Sequence, residues 1–143
     1  MNKIVDFLLK FKFWDRVLST IKIFQFQCGC KRCADPTELG TYSSALKCPK
    51  CKKGDVISTD TNNLDAVWKC NVKNCKAEGI SPDKIGIVTK AVKEAADQLD
   101  IEPKVNEFEA FLKKYSSVLH ENHVILIDRK YTLAKMYGRM EGE

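Results

Sequence analysis

The sequence predicts a small zinc-bound module, rich in loops and carrying a β-hairpin, followed by an all-α, TPR-like helical segment and preceded by an amphipathic helix. Three observations lead there. All seven cysteines fall between Cys28 and Cys75. The stretch that holds them is rich in turn residues and has no helical period. The residues after it carry apolar side chains at helical spacing. With 143 residues, 44% hydrophobic and 30% charged, the chain has the size of one ordinary domain or two small ones. Its composition is globular rather than disordered or fibrous. The expected organisation is residues 1–26 as the amphipathic helix and a strand-like lead into the cysteines, 27–83 as the cysteine-rich module, and 84–143 as the helical segment.

Residues 4–24 place Ile4, Leu8, Phe11, Trp14, Leu18 and Ile21 at helical spacing, with an aromatic face completed by Phe7 and Phe13. The pattern then alternates through Ile23, Phe24 and Phe26, as an extended segment does. Asp6, Lys10 and Lys12 interrupt the first apolar run and no small-residue cleavage site follows it. It therefore reads neither as a secretory signal nor as a membrane span, and no membrane is expected. The expected compartment is reducing, cytoplasmic and/or nuclear, where clustered cysteines bind metal rather than pair.

Between residues 27 and 83, the runs Asp55–Thr59 and Ala66–Lys69 flank Asp60-Thr61-Asn62-Asn63, a turn-forming link that predicts a β-hairpin. Ser81 then Pro82 mark a helix start, with Ile85, Val88, Val92, Ala95 and Leu99 on its inner face. Pro103 opens a second helix, with Val105, Phe108, Phe111, Leu112, Tyr115 and Leu119 inward. A break at Glu121-Asn122 admits a third, with Val124, Ile127, Tyr131, Ala134 and Tyr137 inward. Short connections imply three antiparallel helices.

The cysteines divide into four and three. Cys48, Cys51, Cys70 and Cys75 form a C-x2-C-x18-C-x4-C array. Two such knuckles facing each other across a hairpin supply the four soft ligands of a closed, structural zinc site. Pro49 presets the first knuckle, and Gly54 is expected to take the positive φ that closes it around sulfur. Cys28, Cys30 and Cys33 form C-x-C-x2-C, one ligand short of a closed site. His120 and His123 are the only imidazoles in the chain. Their setting at a helix junction points to capping rather than ligation.

Charge is uneven. Residues 1–53 carry eleven basic and four acidic side chains, residues 54–83 carry three and five, and residues 84–143 carry ten of each. Two zinc ions on seven thiolates would lower the formal net charge from +5 to +2. That correction weakens any nucleic-acid reading based on charge.

Phe26-x-Cys28-x-Cys30-x2-Cys33 resembles the post-SET segment of SET-and-MYND (SMYD) protein-lysine methyltransferases. Asp35-Pro36-Thr37-Glu38-Leu39-Gly40-Thr41-Tyr42, then Cys48-Pro49-Lys50-Cys51 and Trp68-Lys69-Cys70, resemble the arthropod SmydA-type branch. The helices from residue 84 resemble the start of the family's helical C-terminal domain. The resemblance implies that Cys28, Cys30 and Cys33 hold the post-SET zinc. The family's fourth ligand is the cysteine of an Asn-His-Ser-Cys motif in the SET core, which also binds S-adenosylmethionine. It further implies that Phe26 packs on the cofactor adenine and that Phe24 lines the lysine channel. Where the family has tyrosine at that channel position, Phe24 lacks the hydroxyl. Neither the Asn-His-Ser-Cys motif nor a MYND finger occurs in this sequence, so a fragment or a truncated gene model is expected.

The expected function is therefore that of a zinc-binding C-terminal part of a SMYD-like protein, inactive by itself. No catalytic residue is assigned to this chain. S-adenosylmethionine and a histone or non-histone lysine substrate belong to a full-length parent. The alternative is a stand-alone zinc and helical module that binds protein partners. A basic zinc-ribbon nucleic-acid binder ranks behind both.

Overall fold

A computed structural model describes residues 28–140. The expected N-terminal helix, with Phe24 and Phe26, lies outside the described residues. The first described element is a single helical turn, α1 (Lys31–Ala34), which carries the buried Cys33. A tightly coiled loop follows. Asp35 organises it: one carboxylate oxygen accepts from the Thr37 N–H and hydroxyl, both at 2.8 Å, and the other accepts from the Leu39 N–H at 3.1 Å. These hydrogen bonds, that from the Thr37 backbone foremost, hold the Asp35 carboxyl below its ordinary pKa. Glu38, Leu39, Gly40 and Tyr42 all have positive φ, between 53° and 78°. For the three non-glycine residues this conformation costs energy. Part of what offsets it is the buried Glu38 side chain, which accepts from the Ser44 N–H at 2.9 Å.

The hairpin is part of a three-stranded antiparallel sheet, in the order β1 (Leu46–Lys47), β2 (Asp55–Ser58), β3 (Trp68–Cys70). Val56 pairs with Leu46 on one side and Cys70 on the other. Alternation along β2 buries Val56 and Ser58 while Asp55 and Ile57 are half-covered. The β2–β3 link closes through Asx turns: Asp60 Oδ1 accepts from the Asn62 N–H at 2.9 Å, and Asn63 Oδ1 from the Asp65 N–H at 3.0 Å. Trp68 exchanges two 2.8 Å backbone hydrogen bonds with Ile80, which brings the chain back along the sheet edge.

Three helices follow: α2 (Pro82–Gln98), α3 (Val105–Tyr115) and α4 (Val124–Met140). The Ser81 hydroxyl caps α2 by accepting from the Lys84 N–H at 3.4 Å, with Pro82 in the first turn. Among the described residues no helix is long and apolar enough to cross a membrane.

Sheet and helices share one core. Leu46, Cys48, Val56 and Trp68 from the sheet pack with Ile85, Val92, Phe108, Leu119 and Leu126 from the helical segment. Backbone hydrogen bonds stitch the two parts: Lys47 N–H to Val118 O at 2.8 Å, His120 N–H to Ala45 O at 3.1 Å, and Val124 N–H to Ser43 O at 3.0 Å.

The inner face of α4 differs from the expected one. Ile125, Leu126 and Leu133 are buried, whereas Ile127, Tyr131 and Tyr137 are exposed. Both faces of α4 carry apolar residues, so periodicity alone does not choose between them. His123 caps the helix by accepting from the Ile125 N–H at 3.3 Å, and Ile125 and Leu126 join the shared core. On the same inner face Arg129 lies over the Phe108 ring and pairs with Asp100 at 2.6 Å. On α2, Val88 is likewise partly exposed rather than inward.

Candidate metal centres

Cys48 and Cys51 sit on the turn between β1 and β2. The Cys48 N–H donates to Gly54 O at 2.8 Å and the Lys52 N–H to Cys48 O at 2.9 Å, so the chain folds back on itself around the two sulfurs. Cys70 ends β3, and Cys75 follows in a turn closed by its own N–H to Val72 O at 3.0 Å. The register that pairs Cys70 with Val56 places the second knuckle against the first. Asn71 locks it there: its N–H donates to Asp55 O at 2.9 Å and its side-chain oxygen accepts from the Asp55 N–H at 3.0 Å. Lys50 ties the knuckles from outside by donating to Lys76 O at 2.8 Å.

The four sulfurs lie within 4.8 Å of one another, with Cys48–Cys75 and Cys51–Cys70 each at 3.7 Å. A regular tetrahedron of thiolates about 2.3 Å from zinc has edges of about 3.8 Å. The cluster thus already has the dimensions of a tetrathiolate zinc site.

Gly54 shows why the first knuckle needs glycine, and the reason differs from the expected one. The positive φ belongs to Lys52, at 56°. Gly54 is required for close approach, since a Cβ there would stand 2.6 Å from Cys70 Sγ and 2.6 Å from Val72 Cγ2. Its N–H donates to Cys51 Sγ at 3.3 Å. Hydrogen bonds from the Lys53 and Gly54 N–H groups pull the Cys51 thiol down to about 6. Burial pushes its neighbour Cys70 up to about 12.

Cys28, Cys30 and Cys33 also converge, their sulfurs within 4.8 Å of one another. Cys33 is buried on α1, Cys28 is half-buried and Cys30 is exposed. Hydrogen bonding, chiefly from the Cys33 backbone, lowers the Cys30 thiol to about 7 against the opposing effect of burial. No histidine or carboxylate joins this trio among the described residues.

The two histidines serve the helix junction. His120 Nδ1 accepts from the Asn122 N–H at 3.0 Å, and its ring stacks on Tyr42 at 4.9 Å. His123 is buried, with Nδ1 accepting from the Ile125 N–H at 3.3 Å at the start of α4. Their short-range capping contacts were legible in the Leu119–His123 sequence. The Tyr42 stack, across 78 positions of chain, was not.

No family model matches the chain, and no solved structure does. Two curated proteins of Drosophila melanogaster are similar to part of it. The SET domain-containing protein SmydA-8, isoform B, is 51% identical over 47 residues, and isoform A is 49% identical over 47 residues. Each match covers 32% of this chain and 10% of the relative. Over that stretch the chain is related to SMYD-type, SET domain-containing proteins.

Proposed function

We propose that the chain is a post-SET-type, zinc-stabilised module with the first helices of a SMYD-like protein, and that it acts as a structural part rather than as a catalyst. The parent class would be an S-adenosylmethionine-dependent protein-lysine methyltransferase. The observation that carries this reading is the four-sulfur cluster of Cys48, Cys51, Cys70 and Cys75, built to zinc dimensions in a chain with SmydA-8 similarity. Zinc there would supply cross-linking of the two knuckles and no chemistry, because four sulfurs leave no open position.

Methyl transfer needs a bound sulfonium donor and a dry channel that aligns the lysine amine with it. Of the residues assigned to such a site by resemblance, this sequence offers Phe24 and Phe26, which are rim residues only. Isothermal titration of the zinc-loaded chain with S-adenosylmethionine should therefore give no heat of binding. Saturable binding would refute the structural-part reading.

A second reading, a protein-interaction module, is favoured by one feature of α4. Its exposed Ile127 and Tyr131, one turn apart, form an apolar patch on the side away from the core. Oligomer measurement and partner capture with Tyr131→Glu as control would test it.

A further inference from the structure

Charge is polarised along the hairpin. The two knuckle segments, residues 47–54 and 69–77, contain seven lysines and no aspartate or glutamate. Lys50, Lys52, Lys53, Lys73 and Lys76 are exposed there. The opposite end, residues 59–66, carries the exposed Asp60 and Asp65 and no lysine or arginine. Zinc on four thiolates leaves two negative charges at the knuckles, fewer than the lysines around them. None of the five exposed lysines pairs with a carboxylate among the described residues, whereas on α2 Lys90 meets Glu94 at 3.9 Å and Lys93 meets Asp97 at 3.4 Å. Lys50 donates to Lys76 O at 2.8 Å, which holds its charge across both knuckles. Val72 is 38% exposed among these lysines. A Cβ on Gly54 would stand 2.6 Å from Val72 Cγ2, so this apolar side chain lies where the two knuckles meet.

We propose that the knuckle end of the sheet is a docking surface for an acidic, carboxylate-rich peptide segment of a partner protein, with Val72 receiving an apolar side chain of that segment. Charge complementarity selects the occupant: the surface is basic, and its lysines have no carboxylates of their own to satisfy them. The residue types favour a peptide over a nucleic acid. Neither knuckle segment contains an aromatic residue on which a base could stack, or an arginine to grip phosphate or guanine with two hydrogen bonds. An apolar contact at Val72 has a counterpart in a peptide side chain and none in a phosphate backbone. The docking surface adds to the structural role proposed above and rests on it only for the metal that holds the knuckles together.

The test uses the whole zinc-loaded chain and a fluorescein-labelled oligoglutamate peptide with one central leucine, followed by fluorescence anisotropy. The peptide should bind saturably at low salt and more weakly as salt rises. Lys52→Glu combined with Lys53→Glu should weaken binding about tenfold. Lys90→Glu combined with Lys93→Glu, the same charge change on α2, should leave it unchanged. Lys73→Glu reads the second knuckle independently, and it too should weaken binding. Replacing the peptide's leucine by glycine, or Val72 by serine, should each weaken it several-fold. Three results would overturn the proposal: no saturable binding by the metal-loaded chain, equal losses from the knuckle and α2 pairs, or tighter binding of a single-stranded DNA of the same charge. Metal content is measured on the same samples. Failure of the zinc reading thus shows as absent metal, and failure of the docking surface as absent peptide binding by a chain that holds its metal.

Discussion

Leu46 on β1 bridges Leu119, in the turn that follows α3, as an isolated antiparallel pair, and Leu119 is completely buried. This contact joins the cysteine-bearing sheet to the helices. The cysteine cluster at one end and the helix packing at the other are therefore expected to behave as one cooperative unit.

Leu119→Ala should therefore destabilise both parts at once. The loss of a fully buried leucine costs about 2–5 kcal/mol through lost transfer energy and the cavity left behind. Far-ultraviolet dichroism of the helices and loss of zinc from the sheet, followed in one denaturation, should shift together. Separate transitions would show two independently folding parts.

The two faces of α4 make a sharp contrast. Leu126 is 1% exposed and Tyr131 is 61% exposed. Leu126→Ala should lower stability by about 2–5 kcal/mol, whereas Tyr131→Ala should change it by about 0.5 kcal/mol or less. Chemical denaturation of the two variants checks the orientation of the helix. Equal losses would put the face suggested by periodicity back inside.

That orientation shows where sequence patterning ran out. Ile85, Val92, Phe108 and Phe111 are buried as their spacing implies, because each belongs to a helix with one apolar stripe; Leu119 is buried too, but in the turn after α3. On α4 both stripes are apolar, and the buried one is the face that carries Arg129, which reaches Asp100 across the fold. The hairpin was legible from its Asn-rich turn. β1 was not, since two residues give no pattern and Leu46 pairs through tertiary contacts. The cysteine grouping was legible from spacing alone. The role of Gly54 was not, because the sulfur of Cys70 that crowds it arrives from 16 residues later.

Gly54→Ala tests that crowding. A Cβ 2.6 Å from Cys70 Sγ cannot be accommodated without moving a ligand. Zinc affinity, measured by competition with a chromophoric chelator, should fall by about 10–100-fold. An unchanged affinity would mean that the knuckles are loose.

Within the folded knuckles the thiols should ionise at very different pH. Cys51 is lowered to about 6 by hydrogen bonds from the Lys53 and Gly54 N–H groups, and Cys70 is raised to about 12 by burial. A depressed folded pKa means that the stabilisation linked to Cys51 is present above its unfolded value and is lost as pH falls through about 6. For Cys70 the sign reverses: its contribution is present below the unfolded value and is lost as pH rises toward 12. Iodoacetamide at pH 7, added together with a chelator so that alkylation competes with unfolding, should label Cys51 ahead of Cys70, and zinc should protect both. Labelling in the opposite order would contradict the hydrogen-bonding pattern of the first knuckle.

The most direct measurement is the metal content of the purified, dialysed chain, read together with its melting curve before and after a strong chelator. One firmly held zinc is expected, bound by Cys48, Cys51, Cys70 and Cys75. Its removal, or Cys51→Ser, should abolish the cooperative melt, since structural zinc contributes on the order of 10 kcal/mol to folding. A cooperative melt that survives loss of the metal, or a chain that binds no zinc, would contradict the structural zinc centre on which the proposed function rests.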